Sequence, residues 1–151
     1  MHRNAPQPKP EMSEARKQGL FNIGEAAAAS GVSAKSIRHY EENGLLTSVA
    51  RSASNYRLYS QADIHTLRFI KSARSLGFAI SDIGVLLQLW QNQQRSSADV
   101  KKLALQHVQA LDQRIVELQK MRDTLAQLAQ HCHGDNRPDC PILEDLAGHC
   151  C

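Results

Sequence analysis

The chain has 151 residues, of which 42% are apolar and only 5% aromatic, so any core must be mainly aliphatic. Its net charge of +3 is uneven: residues 1–80 hold eleven Lys and Arg against six Asp and Glu, whereas residues 81–151 hold seven against nine. Excess positive charge on the N-terminal half suits attraction to nucleic-acid phosphates. No apolar run approaches the roughly 18–20 residues that cross a bilayer, which excludes a membrane-spanning segment.

Residues 1–20 are predicted to be a disordered N-terminal extension, because they are rich in proline and charge. They lack the apolar stretch of a signal peptide, so we expect the protein in the cytoplasm. Thiols stay reduced there, and the four cysteines of the chain are therefore better suited to metal or redox chemistry than to structural disulfides.

Two short helices are predicted next, over residues 23–30 and 34–43. Asn22 stands three residues before Glu25, which is the spacing of a capping box, and Ser33 is placed to cap the second helix. Two short helices joined by a tight glycine-containing turn are typical of a helix-turn-helix motif.

A short β-wing is predicted within residues 45–59, because side chains alternate at strand period over 56–59 and turn-forming residues precede them. Helical periodicity returns over about 60–75 and again from 81 to about 90. Together these elements predict a compact DNA-binding head over residues 21–92.

A long helix is predicted over residues 96–131, where apolar side chains recur every three or four positions once His107 is counted among them. A small head cannot bury so long a stripe, so we expect this helix to pair with a second copy as an antiparallel coiled coil in a homodimer. The alternative is that it folds back on the two helices before it. The apolar positions are Val100, Leu103, Leu111, Ile115, Leu118, Met121, Leu125 and Leu128.

The C-terminal segment, residues 132–151, carries Cys132 and Cys140 with seven residues between them. Glycine and proline favour a turn-rich loop between the thiols, followed by a short helix over about 141–147. Two thiolates alone suit linear coordination of Cu(I), Ag(I) or Au(I), whereas Zn(II) usually collects four ligands. The segment is therefore predicted to be a metal-binding loop.

Other chemistry is compatible with these residues. The two thiols could form a disulfide or act as a redox switch, and neighbouring histidines could add nitrogen ligands for Zn(II). A copper-handling or thiol-exchange protein would use the pair without any affinity for DNA. No acid–base pair or nucleophile set apart from the thiols is present, so the chain is not predicted to be an enzyme. The remaining tail residues are expected to be solvated and passive: His131, His133, His149, Cys150 and Cys151.

The head contains four sequence elements in order: I-G-E-A-A, S-x-x-x-I-R-x-Y-E-x-x-G-L-L, Y-R-x-Y and A-R-x-x-G-F. In these elements the chain closely resembles the MerR family of transcription regulators, and the resemblance covers about residues 22–151. The tail, with Cys-x7-Cys followed by Pro-Ile, looks like that of the copper-efflux regulators of the family. One departure is Asn55, where family wings commonly have glycine; since asparagine tolerates the left-handed conformation, we expect the turn to survive.

The resemblance implies a mainly helical fold, with a winged helix-turn-helix head, a dimerisation helix and a metal-binding loop. It also implies DNA contacts from the second helix and the wing, where cations can reach base edges and phosphates. For Tyr40 the alternative is packing within the head. Glu41 and Glu42 are expected to be surface residues or partners within the head and not DNA contacts, because carboxylates face phosphates badly. The implied DNA-binding residues are Lys35, Arg38, Tyr40, Arg51, Tyr56 and Arg57.

For the tail, the resemblance implies one Cu(I) per subunit, held by Cys132 and Cys140, with Ag(I) or Au(I) as further ions of this type. Divalent-ion relatives add a cysteine from the partner subunit at the start of the dimerisation helix, where this chain has Ser97. Serine is a poor ligand for soft metals, which favours monovalent ions. Metal binding is expected to distort double-stranded promoter DNA so that RNA polymerase can engage; Zn(II), Hg(II) or oxidation are the alternative signals.

Overall fold

The computed structural model of the chain divides into two compact units, Met1–Ser96 and Ser97–Cys151. None of the described helices is both long enough and apolar enough to cross a membrane. The residues that the structure describes are 8–47, 49–132, 134–135 and 138–148.

The predicted disorder of the N-terminal extension is wrong for the residues nearest the head. Met12–Lys17 form a helix, α1, in which Ala15 is fully buried. Arg16 donates through Nε and Nη2 to Glu25 at 3.1 and 2.8 Å. Proline and charge indicated disorder, but one small buried side chain and one ion pair dock the segment onto the head. Residues 1–7 lie outside the described residues.

The helix-turn-helix prediction is confirmed by α2 (Ile23–Ser30) and α3 (Ala34–Glu42). Asn22 accepts a hydrogen bond from the backbone N–H of Glu25 at 2.8 Å, and the Glu25 carboxylate accepts one from the Asn22 backbone at 2.9 Å. This reciprocal capping box begins α2 at the predicted residue. Ser33 caps α3 by accepting from the third residue of that helix.

The wing consists of two short strands, β1 (Ala50–Arg51) and β2 (Arg57–Leu58), which pair antiparallel. Asn55 lies in the turn between them with φ +64°, so it takes the left-handed conformation that was expected of it. Asparagine visits this region at lower cost than most residues with a Cβ, which explains why the turn forms without glycine.

Two longer helices complete the head: α4 (Gln61–Ser75) and α5 (Ile80–Gln91). A second capping box, between Ser60 and Asp63, begins α4. One cluster of the core is aliphatic with a single tyrosine, and it holds α2, α3, the wing and α4 together. Its buried members are Ala26, Val32, Ile37, Leu46, Tyr59 and Leu67.

The second unit consists of the long helix α6 (Ser97–His131) and the short helix α7 (Pro141–Leu146), which packs against it. No residue of α6 is buried within the chain. Eight of its large apolar side chains remain 42–60% exposed, and five of these belong to the predicted stripe. The eight are Leu105, Val108, Leu111, Ile115, Val116, Leu118, Met121 and Leu125.

Candidate functional site

Helix α3 places two basic side chains on the surface of the head. Ile37 is fully buried and fixes the helix to the core, while Lys35 and Arg38 are exposed. Tyr40 is half-buried and packs against the core, so its role in packing is confirmed, and a contact with DNA stays a prediction. A helix anchored on one side with exposed cations on another is suited to insertion into a groove of DNA.

The wing turn is held by hydrogen bonds of its own backbone. Ser52 is buried, and its N–H and Oγ bind the carbonyl and the N–H of Tyr56 at 2.9 and 3.1 Å. Arg51 donates through Nη1 to the carbonyl of Asn55 at 3.0 Å. The Tyr56 side chain is 65% exposed, so the turn presents an aromatic ring at the surface.

Glu41 joins the wing to α3. Its Oε2 accepts from Arg57 Nε at 3.0 Å and from the Tyr59 hydroxyl at 3.2 Å. Of the two roles expected for Glu41, at the surface or as a partner within the head, the structure shows the second. Arg57, predicted only as a DNA contact, also fixes the angle between the wing and α3. The sequence carries no local signal for this contact, because the partners are 16 and 18 residues apart.

Burial, together with the negative charge of Glu41, raises the pKa of Tyr59 to about 12. The folded protein therefore retains this proton at a pH where an exposed tyrosine, with a pKa near 10, has released it. The Tyr59 hydroxyl acts as a donor to Glu41 and does not serve as a proton-transfer group near neutral pH.

We expect the free energy of unfolding to fall as the pH rises from about 10 to about 12. Below this window Tyr59 is protonated in both the folded and the unfolded chain, and its full contribution to the free energy of unfolding is present. Within the window the unfolded chain loses the proton while the folded chain keeps it, so alkali favours unfolding. In urea unfolding at several pH values, the free energy of unfolding of Tyr59→Phe should fall less steeply with pH than that of the wild-type protein. Tyr56→Phe, which alters an exposed ring, should keep the wild-type slope, and an equal slope in all three proteins would contradict the assignment.

The two thiols of the second unit lie at opposite ends of one loop. Cys132 follows the last residue of α6, and its N–H donates to the carbonyl of Ala129 at 3.2 Å. Cys140 is the N-cap residue of α7, and its carbonyl accepts from the N–H of Glu144 at 3.1 Å. Both are free, half-buried thiols. The backbone at each end of the loop is thus fixed by a helix terminus.

The predicted soft donors of this loop are the two thiols, Cys132 and Cys140. Within the described part of the chain, no group of three or more His, Cys, Asp or Glu residues is placed to hold a metal ion. His131 is engaged through Nδ1 with the Gln127 carbonyl at 2.7 Å. Two thiolates are sufficient for the linear coordination of a monovalent soft ion such as Cu(I), and their role as its ligands stays a prediction. The other tail ligands considered above lie outside the described residues: His133, His149, Cys150 and Cys151.

Ser97 is the first residue of α6, as the predicted selectivity position requires. Its side chain carries a hydroxyl at the position where, by the resemblance, divalent-ion relatives carry a cysteine. The predicted role of Ser97 depends on a second subunit, so it stays a prediction.

A capped helix-turn-helix followed by a two-stranded wing defines the chain as a winged helix-turn-helix DNA-binding protein. The family described as MerR HTH family regulatory protein matches residues 21–90, and the family described as MerR, DNA binding matches residues 64–128. The chain belongs to the MerR family of transcription regulators, which are DNA-binding proteins and not enzymes.

Relatives and solved structures agree with this assignment. Heavy metal-dependent transcription regulator 2 of Rhizobium meliloti is 52% identical over 84% of this chain and 86% of its own length. CueR of Escherichia coli O6:H1 is 45% identical over 86% of this chain and 96% of its own. The structure of PbrR691 from Ralstonia metallidurans in complex with lead(II) matches with a TM-score of 0.71 and 28% identity, over 83% of this chain and 98% of that one.

Proposed function

We propose that the chain is a metal-responsive regulator that binds promoter DNA as a homodimer and activates transcription when Cu(I) occupies its thiol loop. The observation that carries this proposal is the joint presence of a winged helix-turn-helix head and two free thiols at the ends of one loop. The heavy metal-dependent regulator that is 52% identical supports a metal signal in this family.

The DNA contacts are assigned to the exposed surface of α3 and to the wing. Lys35 and Arg38 on α3 would reach base edges and phosphates in the major groove, with Tyr40 at the edge of this contact. On the wing, Arg51 and Tyr56 would bind flanking phosphates, and Arg57 would add its terminal nitrogens while its Nε holds Glu41.

Dimerisation is assigned to α6. Eight large apolar side chains along this 35-residue helix keep 42–60% of their surface exposed. Exposure of so much apolar surface to water is unfavourable. A second copy with the same stripe would bury them as a coiled coil. Two heads related by the dimer axis would then match a palindromic promoter site.

The inducing ion is assigned to Cys132 and Cys140, one per subunit. When bound, Cu(I) (or Ag(I) or Au(I)) supplies a link between two thiolates with no need for a third ligand. The chain holds the two thiols at two helix ends. An ion that joins them would therefore fix the loop and the position of α7 on α6. Bending a promoter costs on the order of 1–6 kcal/mol, and a site-to-site coupling of about 1–3 kcal/mol per subunit is of a comparable size.

Such a regulator would act in the cytoplasm, on a promoter shared with RNA polymerase, and its targets would be genes for copper efflux. The rival signals are Zn(II), Hg(II) and oxidation of the thiol pair. A copper-handling thiol protein is the remaining rival, and it would bind metal without binding DNA.

Metal titrations of the reduced, full-length protein separate these possibilities. Cu(I) is added under strong buffering, Zn(II) and Hg(II) in parallel, while promoter binding and transcription in vitro are followed. We expect transcription to rise with Cu(I) and not with Zn(II). A response to Zn(II), Hg(II) or oxidant alone would replace the copper assignment, and failure to bind any duplex would overturn the regulator itself.

Ser97→Cys should give the regulator a response to divalent ions. The new thiolate would add a third soft ligand at the position that divalent-ion relatives use, so Zn(II) or Hg(II) should now induce transcription in vitro. Ser96→Cys, which adds a thiol one residue earlier, serves as the matched control and should stay unresponsive. If both variants respond alike, or neither does, the selectivity role of Ser97 is wrong.

A further inference from the structure

The N-terminal segment, residues 8–20, is tied directly to the turn of the wing. In that turn the N–H of Ser52 donates to the carbonyl of Tyr56, and the N–H of Asn55 donates to the carbonyl of Ser52. The N–H of Ala53 instead donates to the carbonyl of Pro10 at 3.0 Å. The segment therefore satisfies a backbone donor that the wing leaves open, and it places the residues around Pro10 at the turn.

The other end of the segment is fixed to the body of the head. The buried Ala15 and the ion pair of Arg16 with Glu25 dock α1 onto the head. Beyond α1, Phe21 and Tyr59 exchange two backbone hydrogen bonds of 2.8 Å, which extends the wing by one bridge. The segment is thus held at both ends, and its start has a defined place beside the wing.

Lys9 directly precedes Pro10 and is exposed. Among the described residues it forms no ion pair, whereas the positive charge of Arg16 is matched by Glu25. The nearest acids in the sequence, Glu11 and Glu14, belong to the cap and first turn of α1. A free ammonium group on a long flexible stem beside the wing turn is suited to bind a phosphate.

We propose that Lys9 extends the DNA interface by binding a backbone phosphate next to the one bound by the wing. This inference rests on the proposed promoter-binding function. Both family matches leave this segment out, since the earlier of them begins at residue 21, so the contact is an addition to the matched regulator head.

The test measures how the affinity of the full-length protein for duplex DNA depends on salt. A duplex selected from random sequence by the wild-type protein is titrated at several salt concentrations between about 50 and 200 mM. Lys9→Ala should make the slope of log affinity against log salt less negative by about 0.9 for each Lys9 that binds a phosphate. For each such contact, the loss of affinity should then be about 3.5-fold larger at 50 mM than at 200 mM salt.

Lys17→Ala is the matched control, because it removes the same charge from the exposed end of α1, remote along the helix from Pro10. Lys17→Ala should keep the wild-type slope. Lys9→Arg retains the positive charge, so its slope should be close to that of the wild-type protein. An unchanged slope in Lys9→Ala would overturn the inference, and so would an equal reduction in the steepness of the slope in Lys9→Ala and Lys17→Ala. Wild-type protein that binds no duplex would instead refute the proposed function, so the two failures are distinguishable.

Discussion

Replacing both Cys132 and Cys140 by serine is expected to abolish the metal response and to leave promoter binding intact. Serine hydroxyls are hard, weak ligands for Cu(I), so the loop loses both of its soft donors. The head should be unaffected, because both cysteines belong to the second unit and every assigned DNA contact belongs to the first. Promoter affinity should change by no more than a factor of about two, as for surface substitutions in general.

Two measurements check this on the reduced protein: Cu(I) uptake by competition with a chelator, and transcription in vitro. Uptake should fall from one ion per subunit to none, and transcription should not rise at any Cu(I) concentration. The double variant Cys150→Ser with Cys151→Ser is the control and should behave as wild type. If the control loses uptake and the Cys132/Cys140 variant keeps it, the binding site has been assigned to the wrong thiols.

The elements with local sequence signals were predicted well. Both helices of the helix-turn-helix begin at their predicted caps, because Asn22 and Ser33 bind backbone N–H groups only three residues away. The left-handed conformation of Asn55 is likewise a property of a single residue type in a turn. Such contacts depend on spacing along the chain, and the sequence displays spacing directly.

Contacts between distant parts of the chain could not be predicted in this way. The sequence does not reveal that Glu41 holds both Arg57 and Tyr59, or that Pro10 binds Ala53. These pairs form only once the core has placed α3, the wing and the N-terminal segment side by side. The error over the extension has the same origin, since its composition resembles that of disordered segments and its burial depends on the head.

The thiol site stands between these cases. The spacing of Cys132 and Cys140 predicts a pair at the two ends of a short loop, and the structure places them at two helix termini. The predicted choice between monovalent and divalent ions rests on a ligand that the resemblance places in the partner subunit, at the position of Ser97. A contact between two subunits is set by how they pair and not by spacing along one chain, so the sequence predicts the thiol pair more directly than the ion that it selects.

Arg38→Ala should cause the largest loss of promoter affinity of any single substitution in the head. Arg38 is exposed on α3, and the neighbouring Ile37 is buried, so removing the guanidinium should leave the fold intact. An arginine that binds a guanine edge is worth about 1–3 kcal/mol, which corresponds to a loss of about 5- to 150-fold in affinity. Titration of the selected duplex and of a scrambled duplex should show a larger loss on the selected one.

The control is Lys120→Ala, which removes one positive charge from an exposed position of α6. It should change the affinity for neither the selected nor the scrambled duplex. Thermal unfolding of Arg38→Ala should match that of wild type, which separates loss of contact from loss of fold. Because a phosphate contact is independent of sequence, an equal loss on both duplexes would move Arg38 from base recognition to backbone binding. If affinity for both duplexes is retained, α3 does not enter the groove through this residue, and the orientation assigned to the head is wrong.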